Sequence, residues 1–233
     1  MVAPLSFDGV PERVRELARF GVPRVPGDLL RLALFSLPGV VVAHVADISV
    51  AGGVAFGVAA VGMLGTALSP IGFVMLPVAA RMMAAGDVAE LRRRVINIAL
   101  VTSGVLVLGI VIVEAFAPQL VLIYLGPGFA STADSLRVIA PAALPWGIYT
   151  SLASVIDAHH VRPVNARNMA VAFGVFVLGA GLLALLHAPA AAVAGIFVLS
   201  LYVLGALTLW EVHSITSQAE PVGPLTQESQ PLL

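Results

Sequence analysis

The sequence predicts an all-α integral membrane protein, with six transmembrane helices forming one bundle. Three observations predict it. Hydrophobic residues make up 59% of the 233 residues and charged residues 11%, against about a quarter charged in an average soluble protein. Mean hydropathy is +1.02. Charged residues cut most of the chain into uncharged stretches close to the ~20 residues that cross a hydrocarbon core. Several functions are excluded at once. The net charge of -1 leaves no basic excess for nucleic acid. The absence of cysteine removes disulfides, iron–sulfur clusters and thiol catalysis. All 12 basic residues are arginine, so the lysine of a nucleotide phosphate loop is missing and the chain is not itself a nucleotide-driven pump.

Residues 1–28 read as a cytoplasmic amphipathic segment and linker. No apolar run follows Met1, so this is no signal peptide. Val10, Val14 and Leu17 share a helical face, with Glu12/Arg15 and Glu16/Arg19 as i, i+3 pairs. Gly21 is expected to end that helix, and Val22-Pro23-Arg24-Val25-Pro26-Gly27-Asp28 to form a stiff linker.

The membrane domain is expected over 29–211, with spans at about 29–46, 51–76, 95–114, 136–157, 168–186 and 189–211. The uncharged run 48–80 is too long for one crossing and too short for two. It predicts either one tilted, kinked helix or a span followed by a re-entrant piece. Stretch 115–133 has the length of a span, but Pro118 and Gly126-Pro127-Gly128 predict an outer loop with a short interfacial helix. Asp47 and His187-Ala188-Pro189 mark short outer turns. Met83 to Arg94 reads as an inner loop in which Asp87 caps a turn. Residues 212–233, rich in Pro, Ser, Gln and Glu, predict a disordered cytoplasmic tail.

Arginine placement orients the bundle. With both termini cytoplasmic, eleven arginines lie inside and one, Arg137, outside. A seventh span at 115–133 would weaken that asymmetry.

No enzyme signature, catalytic residue, metal site or cofactor site is found. His159-His160 beside Asp157 could bind a metal, but adjacent histidines on a helix end are expected to point apart, as solvated residues. Gly53-x-x-x-Gly57, Gly62 and Gly65 give the second span a small-residue face for helix packing. Pro38, Pro70, Pro141 and Pro145 predict curvature or a cavity lining. The candidate substrate-binding residues are Arg31, His44 and Arg137. Arg31 sits in the first span near Asp28; it either snorkels, paired with that acid, or presents a guanidinium to an inner cavity, where its planar fork suits phosphate. His44 is more often an interfacial polar residue than a ligand, and Arg137 with Asp134 reads as an outer-surface pair at the start of the fourth span. Trp146 and Tyr149 either pack in the core or stack on a sugar.

Val22-Pro23-Arg24-Val25-Pro26-Gly27-Asp28 leads into a span containing Leu37-Pro38 and Ala43-His44. Ser69-Pro70-Ile71-Gly72, Leu76-Pro77, Leu125-Gly126-Pro127-Gly128-Phe129, Asp157-Ala158 and Arg162-Pro163-x-Asn165 follow in order. Over residues 22–212 this resembles the bacterial polysaccharide-biosynthesis flippases of the multidrug/oligosaccharidyl-lipid/polysaccharide exporter superfamily. The resemblance implies a helical transporter built of two six-helix bundles around a central cavity. It implies movement of lipid-linked oligosaccharide or polysaccharide precursors across the bacterial cytoplasmic membrane. Only the second bundle is resembled. The expected partners are therefore the lipid-linked saccharide, the lipid bilayer, and either a second copy in a homodimer or a separately encoded first-half bundle, with no nucleic acid. The alternatives are a small-molecule or ion antiporter of the same fold and a non-transporting, truncated membrane half.

Overall fold

A computed structural model describes Arg15, Ala18, residues 21–160 and residues 162–217. Its six long helices are α1 Val25–Val45, α2 Ile48–Ala84, α3 Val88–Leu125, α4 Thr132–His159, α5 Val164–Leu185 and α6 Ala190–Ser217. Within α4 the backbone tightens to a 3-10 turn at Ala140–Ala142. All six are long and apolar enough to cross a membrane, and the described residues contain no strand. The chain is an all-α membrane bundle.

The helices alternate in direction. Arg24 reaches Asp157 at 3.6 Å, and a Cβ on Gly27 would lie 2.9 Å from Ala166, so α1, α4 and α5 meet at one end. The Arg167–Glu211 ion pair brings α6 to the same end. At the opposite end a Cβ on Gly53 would meet Thr132 and Ser135, joining the starts of α2 and α4. The first end carries nearly all the arginines and is called the arginine-rich end below.

Two core clusters hold the bundle. The larger packs Leu34, Val58, Trp146, Phe176 and Phe197 from five helices. The smaller packs Met75, Leu91, Leu152 and Val212 near the arginine-rich end. The opposite balance appears on α3, where Leu100, Val101, Val105 and Leu108 are all more than 60% exposed. In water such a face would aggregate; against lipid it is at home.

Helices longer than expected account for most differences from the sequence reading. The span at 51–76 is one unbroken 37-residue helix. It extends through Pro70 and Pro77, so the single-helix alternative holds and the re-entrant piece does not. The loop expected at 83–94 shrinks to Ala85-Gly86-Asp87, with Gly86 at φ 76°, and the side chain of Asp87 makes no cap. Residues 115–125, expected in an outer loop, continue α3 through Pro118 and bury Ala117 and Val121 against Ala133 and Leu136. The helix stops at Gly126, whose φ of 87° favours glycine. Each of α2 and α3 is about 55 Å long at ~1.5 Å per residue, so even tilted they outrun a core of ~30 Å.

Two of the prolines are accommodated by the same device. Proline at position i leaves the carbonyl of residue i−4 without its helical donor. Pro70 frees the Thr66 carbonyl, and Ser69 Oγ donates to it at 2.8 Å. Pro118 frees the Glu114 carbonyl, and Arg137 Nε donates to it at 3.3 Å.

The ends also differ from expectation. The expected linker at 22–28 is helical instead, with a 3-10 turn at Val22–Arg24 running into α1, and Gly21 has helical dihedrals rather than ending a helix. Pro23 and Pro26 fall in first turns, where a missing N–H costs no helical bond. Residues 212–217, expected in a disordered tail, complete α6 and bury Val212 and Ile215. Of the expected amphipathic helix only Arg15 and Ala18 are described, both helical and exposed. Its other residues, and the tail from 218, lie outside the described residues.

Candidate functional site

Helices α1, α2 and α4 enclose a groove. On α1, Arg31, Phe35 and Ser36 face it; on α2, Gly62, Thr66, Ser69 and Phe73 follow at helical spacing; α4 contributes Trp146, Tyr149, Thr150, Ser154 and Asp157. Two adjoining cavities of about 390 and 530 Å³ make up this groove and share Arg31, Gly62, Thr66 and Trp146. At its far end α1 and α2 close on each other, where a Cβ on Gly39 would lie 3.1 Å from that of Ala55. Towards the arginine-rich end the lining becomes charged, with Arg31 and Asp157.

Glycines set this geometry. A Cβ on Gly65 would overlap Nε1 of Trp146, and one on Gly72 would lie 2.9 Å from the Thr150 carbonyl. Both let α2 approach α4 closely, which seats the indole beneath the groove. Phe35 tilts onto Trp146 at 4.6 Å between ring centroids, and Tyr149 stacks on it at 5.3 Å. Trp146 is 3% exposed, so core packing, not a free stacking platform, describes it.

The groove is polar for a transmembrane surface. Ser36, Thr66, Ser69 and Thr150 each donate to a carbonyl of their own helix, which leaves their oxygens able to accept. Trp146 Nε1 and Ser154 Oγ are buried with no hydrogen-bond partner. Hydrocarbon offers neither donors nor acceptors, so water or a hydroxyl- and phosphate-bearing solute suits this surface better than lipid.

Charges concentrate at the arginine-rich end. Arg31 pairs with Asp28 at 3.5 Å, and both are substantially exposed. Arg24 pairs with Asp157 and donates to the His160 carbonyl at 3.3 Å. Glu211, expected as the last residue of the final span, is a buried helical carboxylate that accepts a hydrogen bond from Arg167 and lies 3.9 Å from His160 Nε2. This second network ties α4, α5 and α6 together. The rings of His159 and His160 do not point apart; they meet edge-on at 4.7 Å. Among the described residues no three metal-ligating groups cluster.

The structure separates the three residues expected to bind substrate. Arg31 lines the groove. His44 is exposed on α1 and turns back to the Val40 carbonyl at 2.8 Å. Arg137 bridges α3 and α4 through Glu114, with Asp134 at 3.8 Å. Neither of these two reaches the groove. Asp157, Arg24, Thr66 and Ser154 were not singled out from sequence as site residues. Thr66 and Ser69 do continue the small-residue stripe of α2, and that polar interruption was the available signal. Gly53, Gly57 and Gly65 pack on α4 as expected, whereas Gly62 opens onto the groove.

No family model, curated protein or solved structure matches this chain.

Proposed function

We propose that the chain is a component of a bacterial cytoplasmic-membrane transporter for lipid-linked oligosaccharide or polysaccharide precursors. The observation that carries this reading is a polar groove within the spans with Arg31 lining it toward the arginine-rich end. A pyrophosphate head group entering a low-dielectric region needs fixed positive charge, and a guanidinium offers it in a planar fork. The hydroxyl-rich walls suit sugars, and the resemblance to exporter-superfamily flippases points to the same substrate class. The eleven-to-one arginine asymmetry favours both termini in the cytoplasm, with the groove loading from that side. A polar face set against lipid favours cover by another bundle, either a second copy or a separately encoded half.

A small-molecule or ion antiporter of the same fold is a second reading. It is favoured by Asp157, an acid in the groove lining.

Complementation of a flippase-deficient strain tests the first reading, with a first half co-expressed and membrane levels matched. Arg31→Ala is expected to abolish growth rescue and Arg31→Lys to retain part of it. Full rescue by Arg31→Ala at normal abundance would remove the groove from the transport path.

A further inference from the structure

Arg24, Asp28 and Arg31 recur at intervals of four and three residues, so they share one face of the first helix and the turn that precedes it. About 10 Å of helix separates the two arginines. Asp157 of α4 faces them and lines the same cavity as Arg31. The pairing is selective. Arg24 takes Asp157 at 3.6 Å, with side-chain exposures of 19% and 33%. Arg31 takes Asp28 at 3.5 Å, with exposures of 50% and 74%. An exchanged arrangement is also open to these four residues, because Arg24 and Asp28 are four apart and Asp157 shares a cavity with Arg31. In that arrangement a partly buried carboxylate would occupy the guanidinium that faces the groove.

We infer that Arg24 is a positioning residue for anion recognition: by holding Asp157, it leaves Arg31 paired with a solvent-exposed acid that a pyrophosphate can displace. This rests on the groove being the site of a lipid-linked pyrophosphate. An exposed pair is weak and readily exchanged, whereas a pair closed against the groove wall is harder to displace. Neutralising Asp157 in place also removes its repulsion of an incoming anion.

The test is equilibrium dialysis of the purified full chain in detergent against labelled inorganic pyrophosphate, with folding of each variant checked by its thermal midpoint. Arg24→Gln keeps a donor for the His160 carbonyl but loses the charge, and it should weaken binding about tenfold or more. Asp157→Asn should bind as well as the parent or better. Arg24→Gln with Asp157→Asn should recover parental binding, which a merely structural role for Arg24 does not predict. Farnesyl pyrophosphate, a lipid-linked form, should rank the variants in the same order. The inference is overturned if Arg24→Gln binds normally, if the double variant stays as weak as Arg24→Gln, or if Asp157→Asn alone loses binding. Binding that survives Arg31→Ala would sink the groove reading as well. Binding lost in Arg31→Ala but untouched in Arg24→Gln would sink the role of Arg24 alone.

Discussion

Arg137 donates from Nε to the backbone carbonyl of Glu114, the carbonyl that Pro118 leaves without a helical partner. The residue therefore has a structural task between α3 and α4, which explains how α3 passes a proline without breaking. Arg137→Ala is expected to lower stability by about 1–2 kcal/mol, the range of a hydrogen bond from a charged donor with some solvent screening. In a Pro118→Ala background the helix regains its own donor for Glu114, and the Arg137→Ala penalty should shrink. Thermal unfolding of the four variants in detergent gives the cycle. An undiminished penalty would mean Arg137 acts through Asp134 instead.

The same carbonyl marks the limit of what sequence could reveal. Span number was legible because charges and hydropathy are local properties, and the arginine asymmetry correctly argued against a seventh span at 115–133. Helix ends were not. Pro118 read as a loop signal and Pro70 left a kinked helix or a re-entrant piece open, and only tertiary structure brings Arg137 to Glu114 from another helix, while Ser69 rescues Thr66 from within its own. The same applies to the groove. Arg31 stood out as a charge inside a span, but Asp157 looked like a span-end residue until α1 laid Arg24 against it. Val212 and Ile215 looked like part of a tail because their burial depends on α2, α3 and α4.

Gly65 is expected to be intolerant of any side chain. Trp146 Nε1 occupies the space a methyl would need, and the indole is held by Phe35 and Tyr149. Gly65→Ala should therefore cost about 1–3 kcal/mol through overpacking. A methyl on Gly104 of α3 would meet nothing within 4 Å, and Gly104→Ala should be neutral or stabilising through helix propensity. Unfolding midpoints compare the two directly. Equal stability of both variants would contradict the α2–α4 contact.

Loss of the Glu211 carboxylate should matter where loss of Glu90 does not. Glu211 is buried and joins Arg167 and His160, tying α6 to α4 and α5. Its replacement by Ala is expected to cost about 1–3 kcal/mol, limited because Arg167 is 60% exposed and can turn to solvent. Glu90 pairs with Arg93 and Arg94 on the surface of its own helix, and Glu90→Gln should leave the midpoint unchanged. Matching losses in the two variants would show that the α4–α5–α6 network adds nothing.

The last expectation concerns what fills the groove, and the sequence makes it simple to measure because no native cysteine interferes. A thiol reacts with maleimide as its thiolate, which forms in water and not in hydrocarbon. Thr66 and Ser69 line the groove, whereas Leu178 and Leu182 are exposed on the apolar face of α5. In native membranes, Thr66→Cys and Ser69→Cys should label with a charged, membrane-impermeant maleimide, and Leu178→Cys and Leu182→Cys should not. In inside-out vesicles the reagent meets the cytoplasmic side first, so labelling there and not in right-side-out vesicles would place the mouth on the cytoplasmic side, where the proposed topology puts the arginine-rich end. Met63→Cys, on the exposed rim of the groove, adds a further readout: a disulfide between two chains would identify a second copy as the cover. Unreactive thiols at both 66 and 69, with no cross-link at 63, would mean that lipid seals the groove and that its polar walls serve helix packing alone.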